Sequence, residues 1–266
     1  MSLTFTILGC GSSMGVPRVG LGWGACDPNN PKNTRRRCSL LVERANGERK
    51  HTRVLVDCSP DLRAQLLDAE VGWIDGVLIT HAHADHTHGI DDLRPMFVLA
   101  RKKLDVYMDR PTSAELLAKF GYCFVKPAGS DYPPIAEARE LVPGAKVAIH
   151  GQGGSIEALP ILQDHGDIPS LGFRFGKLAY SCDIKGLPEA SLPLMRDLDV
   201  WIVDALRYKP HPSHMDLAES LAWIARLGPK RAILTNLHAD LDYDELRRQL
   251  PPHVEPAYDG MRIEVG

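Results

Sequence analysis

Short apolar runs rich in β-branched residues alternate along the chain with segments whose apolar positions recur every three or four residues. The short runs predict strands covered on both faces, because such strands need apolar side chains in both directions. The first of them alternates apolar and polar positions, as a half-buried strand does. The predicted strands are TFTIL, SLLVE, RVLVD, DGVLIT, LDVYM, KVAIHG, SIEALPILQ, LGFRFGKLAYSCD with FGKL as a hairpin turn, VWIVDA, RAILTN and MRIEV.

Helical spacing occurs between many of these strands. The Pro-rich region 126–144 has no clear pattern, and we interpret it as a loop that could contain a short helix. Many strands interleaved with helices predict an α/β fold in one continuous domain, residues 1–266. The predicted helices lie in 62–69, in 90–100, in TSAELLAKFGYCF with a Thr or Ser N-cap, in EASLPLMRDL, in 217–225 before Gly228, and in DYDELRRQL.

The composition is that of an ordinary globular protein, with 44% hydrophobic and 24% charged residues among 266. The net charge of −3 provides no overall field that would recruit nucleic acid or an anionic membrane. The N-terminus has no signal-peptide pattern, and no run of about eighteen apolar residues occurs, so we expect a soluble, cytoplasmic protein. The six cysteines include no CxxC pair, so neither a disulfide framework nor a local cysteine zinc site is expected.

The stretch ITHAHADHTHG crowds histidines and an aspartate directly behind an apolar strand. Residues two apart on an extended segment point the same way, so His81 and His83 could bind one ion together. A turn into a helix would redirect Asp85 and His86 toward a second ion. A His-rich solvated loop is the alternative. The metal site is favoured because the polar end of a buried strand needs a partner.

THAHADHTHG, preceded by LVDCSPD, resembles the metallo-β-lactamase superfamily of metallohydrolases. With TILGCGSSMGVPR, RRRCS, HMDL and DGMRIEV, the chain is most similar to the small phosphodiesterases of bacterial phosphonate breakdown, from about Leu3 to Val265. The resemblance implies an αββα sandwich of two mixed β-sheets with helices on both outer faces. It also implies a dinuclear hydrolase that cleaves a small phosphodiester, which could be cyclic, by a metal-bridging hydroxide. The expected cofactors are two divalent ions, zinc or manganese with iron also compatible, and a homodimer is a family-level expectation.

The resemblance implies further ligands later in the chain. His165 in QDHG matches the family's lone histidine after a strand, and Asp183 in AYSCD matches the aspartate that bridges both ions. The family places Thr-His after the last buried strand, whereas this chain has Asn236 there and His238 two positions on. We predict His238 as the last ligand, because imidazole binds borderline divalent metals better than an amide oxygen. The alternative is a weakened ligand position at Asn236.

His214 in HPSHMDL matches the family's catalytic histidine, for leaving-group protonation or phosphate stabilisation. A helix N-terminal residue facing water is its alternative, and His211 is a less favoured substitute. Asp85 is predicted as a catalytic residue as well as a ligand. Asp57 matches an aspartate that orients the histidine segment without touching metal.

Two other segments leave their roles open. The run Arg35–Arg37 could guide a phosphate or be a solvated loop. Relatives in phosphonate breakdown carry an extra cysteine-rich zinc site where only Cys26 remains here, so we do not expect that site. The loop GCGSSMG lacks the lysine of a phosphate-binding P-loop and is interpreted as a structural turn.

Two other functions compete with the phosphodiesterase. An RNA-processing nuclease of the same superfamily would carry a long basic, Gly-rich arm, and no such insertion is visible, so nucleic acid is not the expected partner. A non-catalytic metal-binding accessory protein would not need His214 or His238.

Overall fold

Two β-sheets form the centre of the structure. The computed structural model describes residues 2–47 and 50–266, and fourteen strands lie within these residues. The strands are β1 Leu3–Gly9, β2 Ser39–Ala45, β3 His51–Val56, β4 Gly76–Leu78, β5 Leu104–Met108, β6 Ala136–Glu140, β7 Val147–Gly151, β8 Gly154–His165, β9 Ile168–Phe175, β10 Leu178–Ser181, β11 Val200–Asp204, β12 Arg231–Thr235, β13 Val254–Pro256 and β14 Met261–Val265.

Each sheet has seven strands and mixes parallel with antiparallel pairs. The first has the order β14-β1-β2-β3-β4-β5-β6 and is parallel from β3 to β6; the second has the order β13-β12-β11-β10-β9-β8-β7 and is parallel from β13 to β10. The carboxyl ends of parallel strands are where open α/β sheets bind ligands. Near these ends lie Asp57 and His81 in the first sheet and Asp183, Asp204 and Asn236 in the second.

Helices cover the outer face of each sheet. Leu62 and Leu116 belong to an apolar cluster on the first sheet, and Ile224 and Leu246 belong to one on the second. A third cluster fills the space between the sheets. The predicted αββα sandwich is therefore confirmed. The helices are α1 Leu62–Asp68, α2 Ala84–Thr87, α3 Arg94–Ala100, α4 Arg110–Phe124, α5 Leu217–Leu227 and α6 Tyr243–Gln249, with 3-10 turns at Pro31–Asn33, Ile90–Leu93 and Glu189–Met195.

Three local predictions differ from the structure. The region 126–144 contains β6, an edge strand with mostly exposed side chains that gives no apolar signal. The segment EASLPLMRDL forms a 3-10 turn instead of an α-helix and has Pro193 inside it, a residue that disfavours α-helical hydrogen bonding. Helix α4 is capped by Asp109, which accepts a hydrogen bond from the Thr112 amide, and not by a Thr or Ser.

Helix α5 follows its prediction and carries His214 just ahead of it. Asp216 and Glu219 form a reciprocal capping box at its start, and Gly228 ends it in the left-handed conformation with φ +61°. Among the described residues, none of the helices combines the length and the apolar character that a membrane span requires.

Arg35 is a buried cation that ties two loops together. Its side chain is 1% exposed, and its guanidinium donates to the backbone oxygens of His238 and Leu241 and to Asn33 Oδ1 at 2.7 to 3.2 Å. Its neighbours are partly exposed and form ion pairs on the surface, Arg36 with Asp68 and Arg37 with Asp61. The contacts of the arginine run are thus with the protein itself, and Arg35 holds the loop that follows β12.

We expect Arg35→Met to lower the free energy of unfolding by about 3 kcal/mol, because it leaves buried oxygens without donors. The matched control is Arg36→Met, which removes only a surface ion pair and should cost at most about 1 kcal/mol. Urea unfolding followed by circular dichroism measures both. Equal stability of the two variants would contradict the structural role of Arg35.

Candidate metal centre

The histidine segment changes direction as its pattern predicts. After β4 the chain stays extended through His83, whose ψ is 152°, and α2 begins at the next residue. The Ile79 amide still donates to the Tyr107 carbonyl, which holds the start of the segment against β5. His81 and His83 therefore lie on extended backbone, while Asp85 and His86 lie in the first helical turn.

Three imidazoles and one carboxylate lie close together and form a first group of candidate ligands. His81 Nε2 lies 2.9 Å from His83 Nδ1, which lies 3.4 Å from His165 Nε2. Asp183 Oδ2 lies 3.7 Å from His81 Nε2 and 3.6 Å from His165 Nε2. One ligand atom from each of these four residues lies within 4.8 Å of every other. This is the spacing of side chains that could share one ion.

The chemistry of these imidazoles fits a cation. His165 donates from Nδ1 to the Ser213 carbonyl at 2.7 Å, so in the neutral ring Nε2 carries a lone pair toward the group. Burial lowers the pKa of both His81 and His165, which favours the neutral, ligating form. Converging lone pairs repel one another unless a cation or proton lies between them.

His86 begins a second group on the other side of Asp183. Its Nδ1 lies 2.7 Å from Asp57 Oδ2, to which it donates, while Nε2 lies 3.2 Å from Asp183 Oδ1 and 3.4 Å from Asp85 Oδ2. Nε2 is buried and lacks a hydrogen-bond partner among the described residues. Burial alone would lower the pKa of His86, but the nearby carboxylates outweigh it and raise the pKa well above its usual range. A positive charge is therefore favoured at this point, as a proton or a divalent ion.

Asp57 fixes the segment from behind. Its φ is +65°, and its carboxylate accepts the Thr80 amide at 2.8 Å, the Thr80 hydroxyl and His86 Nδ1. Cys182 lies beside it, with Sγ 3.9 Å from Asp57 Oδ2, and burial raises the pKa of that thiol to about 12. Asp57, His86 and Cys182 also offer ligand atoms within 4.8 Å of one another, but the Asp57 oxygens already accept from Thr80 and from His86 Nδ1. We therefore interpret Asp57 and Cys182 as support for His86 and not as ligands.

His214 forms a pair with Asp204, a residue that sequence reasoning missed. His214 Nδ1 lies 2.7 Å from Asp204 Oδ2, and His214 Nε2 lies 3.8 Å from Asp183 Oδ2. Burial raises the pKa of the Asp204 carboxyl to about 7. Burial would lower the pKa of His214, but its hydrogen bond to Asp204 outweighs this and raises it to about 8. The signal for Asp204 was an acid ending a fully apolar strand, VWIVD, as in VLVD before it.

The structure brings six of the seven predicted ligands together in the two groups, and His238 belongs to neither group. His238 Nε2 lies 3.0 Å from Arg18 Nη1, so this nitrogen accepts from a guanidinium, and Nδ1 lies 3.2 Å from Asp240 Oδ1. Asn236 lies next to the ligand groups instead, with Nδ2 3.3 Å from Asp183 Oδ1. The preference for His238 over Asn236 at the second ion is therefore not supported by this geometry.

The two groups open into a cavity of about 300 Å³. His83, Asp85, Asp183 and His214 line it. Its remaining wall is mostly polar, with Ser12, Ser13, Arg207, His211 and His238 beside Met14, Leu206 and Asn236. A larger cavity of about 450 Å³, against β1 and β2, contains none of the predicted ligands.

Comparison with known proteins gives a family match and a close structural relative. The model of the beta-lactamase superfamily domain matches residues 52–236, more than half of the chain. A solved structure described as a new diphosphatase from the PhnP family superposes with a TM-score of 0.88 at 33% identity, over 100% of this chain and 98% of that one.

Two curated relatives share less of their length. A Porphyromonas gingivalis protein named octanoyltransferase is 33% identical over 96% of this chain but only 50% of its own length. Because this chain spans about half of that relative, its name does not assign an activity to the matching half. A ribonuclease Z of Bradyrhizobium diazoefficiens is 40% identical over 75 residues, 27% of this chain and 22% of the relative. The family match and the αββα sandwich together show that this chain belongs to the metallo-β-lactamase superfamily of hydrolases.

Proposed function

We propose that this protein is a dinuclear metal-dependent phosphodiesterase that acts on a small phosphodiester. The observation that carries the proposal is the position of Asp183. Its Oδ2 faces His81 and His165, while its Oδ1 faces His86. A carboxylate with one oxygen on each of two donor groups is suited to bridge two ions.

The two groups would divide the ions between them. His81, His83 and His165 would hold one with Asp183, and Asp85 and His86 would hold the other with the same aspartate. Two divalent ions supply Lewis acidity, which lowers the pKa of a water toward neutrality and neutralises phosphoryl oxygens. Mixed imidazole and carboxylate donors suit zinc, manganese and iron alike.

His214 would act on the leaving group. Its Nδ1 is engaged by Asp204, so the free Nε2 is the atom that can meet a substrate in the cavity. A pKa of about 8 keeps a proton on Nε2 in much of the population at neutral pH. Nε2 can then donate that proton to the departing alkoxide oxygen, which is the step that a phosphodiester with a poor leaving group needs most.

The cavity wall favours a small anionic substrate. Apart from Asp85 and Asp183, the described lining residues include no acid, and Arg207 adds a positive charge. A volume of about 300 Å³ is at the small end of the range for small-molecule sites. The diphosphatase name of the structural relative supports a second candidate, a substituted diphosphate, whose P–O–P bond would be cleaved by the same chemistry.

The direct test is a substrate panel with metal-free and reconstituted protein. We expect hydrolysis of bis(p-nitrophenyl) phosphate after reconstitution with zinc or manganese, and loss of that hydrolysis after chelation. The monoester p-nitrophenyl phosphate, a diphosphate diester and a short RNA are the comparisons. A protein that binds two ions but cleaves none of the diesters would be the non-catalytic accessory protein, and preferential RNA cleavage would favour the nuclease.

A further inference from the structure

The two sides of Asp183 offer different numbers of side-chain atoms that could bind a metal ion. On the Oδ2 side lie three imidazole nitrogens, from His81, His83 and His165. On the Oδ1 side, the described residues place two candidate ligand atoms: His86 Nε2, 3.2 Å from Oδ1, and Asp85 Oδ2, 3.4 Å from that nitrogen. With the shared carboxylate, the first ion would have four protein donors and the second would have three.

Asn236 lies next to Asp183 Oδ1 but presents its amide NH₂ group there, which has no lone pair to bind a metal ion. Its Nδ2 lies 3.1 Å from the Cys182 carbonyl oxygen, 3.2 Å from His214 Nδ1 and 3.3 Å from Asp183 Oδ1, and the two oxygens favour the amide nitrogen on this side. The reversed amide would set its oxygen against that carbonyl and against Asp183 Oδ1, and all three of these oxygens are acceptors. The nitrogen instead lies 3.3 Å from Asp183 Oδ1 and donates to the oxygen that the second ion would use. Asn236 therefore competes with that ion.

Neither His238 nor His214 makes up the difference. His238 is engaged by Arg18 at Nε2 and lies beside Asp240 at Nδ1. His214 is engaged by Asp204 through Nδ1, and its Nε2 lies on the Oδ2 side, 3.8 Å from that oxygen.

We propose that the two ions are held unequally, so that one divalent ion is retained and the second exchanges with the solution. The functional consequence rests on the proposed function. If the protein is a dinuclear hydrolase with an exchangeable second ion, its rate of hydrolysis depends on the free concentration of the divalent metal. An ion held by Asp85, His86 and Asp183 alone would be able to accept oxygens of the substrate as further ligands. A phosphate ester would then tighten binding of that ion, and the ion would tighten binding of the ester by the same factor.

The test measures metal content and not activity. Protein is equilibrated in manganese buffers of increasing free concentration, and bound metal is counted by elemental analysis and by isothermal titration calorimetry. We expect two steps, with the second at least about tenfold weaker than the first, the size of effect that changes around a metal's ligands produce. Two ions bound with equal affinity by the wild-type protein would overturn the inference.

Asn236→His supplies the missing donor, and Asn236→Ala is its matched control. Asn236 has φ +59°, a region that histidine tolerates better than most residues, so the exchange suits the backbone. We expect the histidine variant to bind the second ion about tenfold or more tightly than wild type. The alanine variant removes the amide's hydrogen bonds to Asp183 Oδ1 and to the Cys182 carbonyl but supplies no ligand atom, so it should gain much less. Equal tightening in both variants would overturn the missing donor as the cause.

The outcomes separate this inference from the proposed function. Stepwise binding of two ions without cleavage of any phosphodiester leaves the inference standing and refutes the function. If the protein binds both ions with equal affinity and cleaves a phosphodiester, the proposed function stands and this inference is refuted.

Discussion

We expect Asp183→Ala to lower the turnover of bis(p-nitrophenyl) phosphate by a factor on the order of 10⁴, because two bound ions would supply several kcal/mol of stabilisation and each 1.4 kcal/mol is tenfold. The expected cause is loss of both ions, since the two carboxylate oxygens face the two donor groups separately. Elemental analysis and steady-state kinetics on the same sample measure metal content and rate together.

Asp164→Ala is the matched control for Asp183→Ala. Asp164 is an exposed acid on β8 next to His165, and it belongs to neither ligand group. We expect its metal content and turnover to stay within about twofold of wild type, as is usual for surface substitutions. Full metal content in a folded Asp183→Ala protein would contradict the bridging role of Asp183.

His214→Ala is the second change with a large expected effect, and the effect depends on the leaving group. For a dinucleotide, whose leaving alkoxide needs a proton, we expect the rate to fall by about 10² to 10⁴, the usual range for a general acid. For bis(p-nitrophenyl) phosphate the fall should be far smaller, because p-nitrophenolate leaves without protonation. Metal content should not change, since His214 belongs to neither ligand group.

His211→Ala is the control that distinguishes loss of the His214–Asp204 pair from loss of any histidine in the cavity. His211 lines the same cavity and contacts Ser213 instead of a carboxylate. Its removal should lower both rates by a similar, modest factor. If His214→Ala slows both substrates equally, the proton-donor role is wrong, and if it releases metal, His214 is a ligand.

The fold, and the convergence of most of the predicted ligands on one place, could be predicted because their signals are local. The apolar runs mark the strands, and the change from extended backbone to helix after His83 separates His81 and His83 from Asp85 and His86. Once the resemblance supplies the order of strands, His165 and Asp183 follow as strand-end residues.

The last ligand could not be predicted in the same way. Asn236 and His238 would point in the same direction on an extended chain, so either could have met the ion. The structure places Asn236 at φ +59°, which breaks the alternation, and His238 meets Arg18. A backbone turn of this kind has no apolar pattern.

Contacts between polar residues that lie far apart in the sequence could not be predicted either. Asp204 and His214 come together only because the chain between β11 and α5 folds back on itself, with the Leu206 amide donating to the Met215 carbonyl. Arg35 resembles its two neighbours in sequence, yet it alone is buried against carbonyl oxygens from the loop after β12. Burial of one charged residue in a charged run depends on tertiary packing and not on local pattern.

The central claim is that two cations share Asp183. An anomalous difference map from crystals grown with excess manganese tests it most directly. The account predicts two peaks, one among His81, His83 and His165 and one beside Asp85 and His86, with Asp183 contacting both. A map with no peak at these side chains, or with one peak that all of them share, would contradict it.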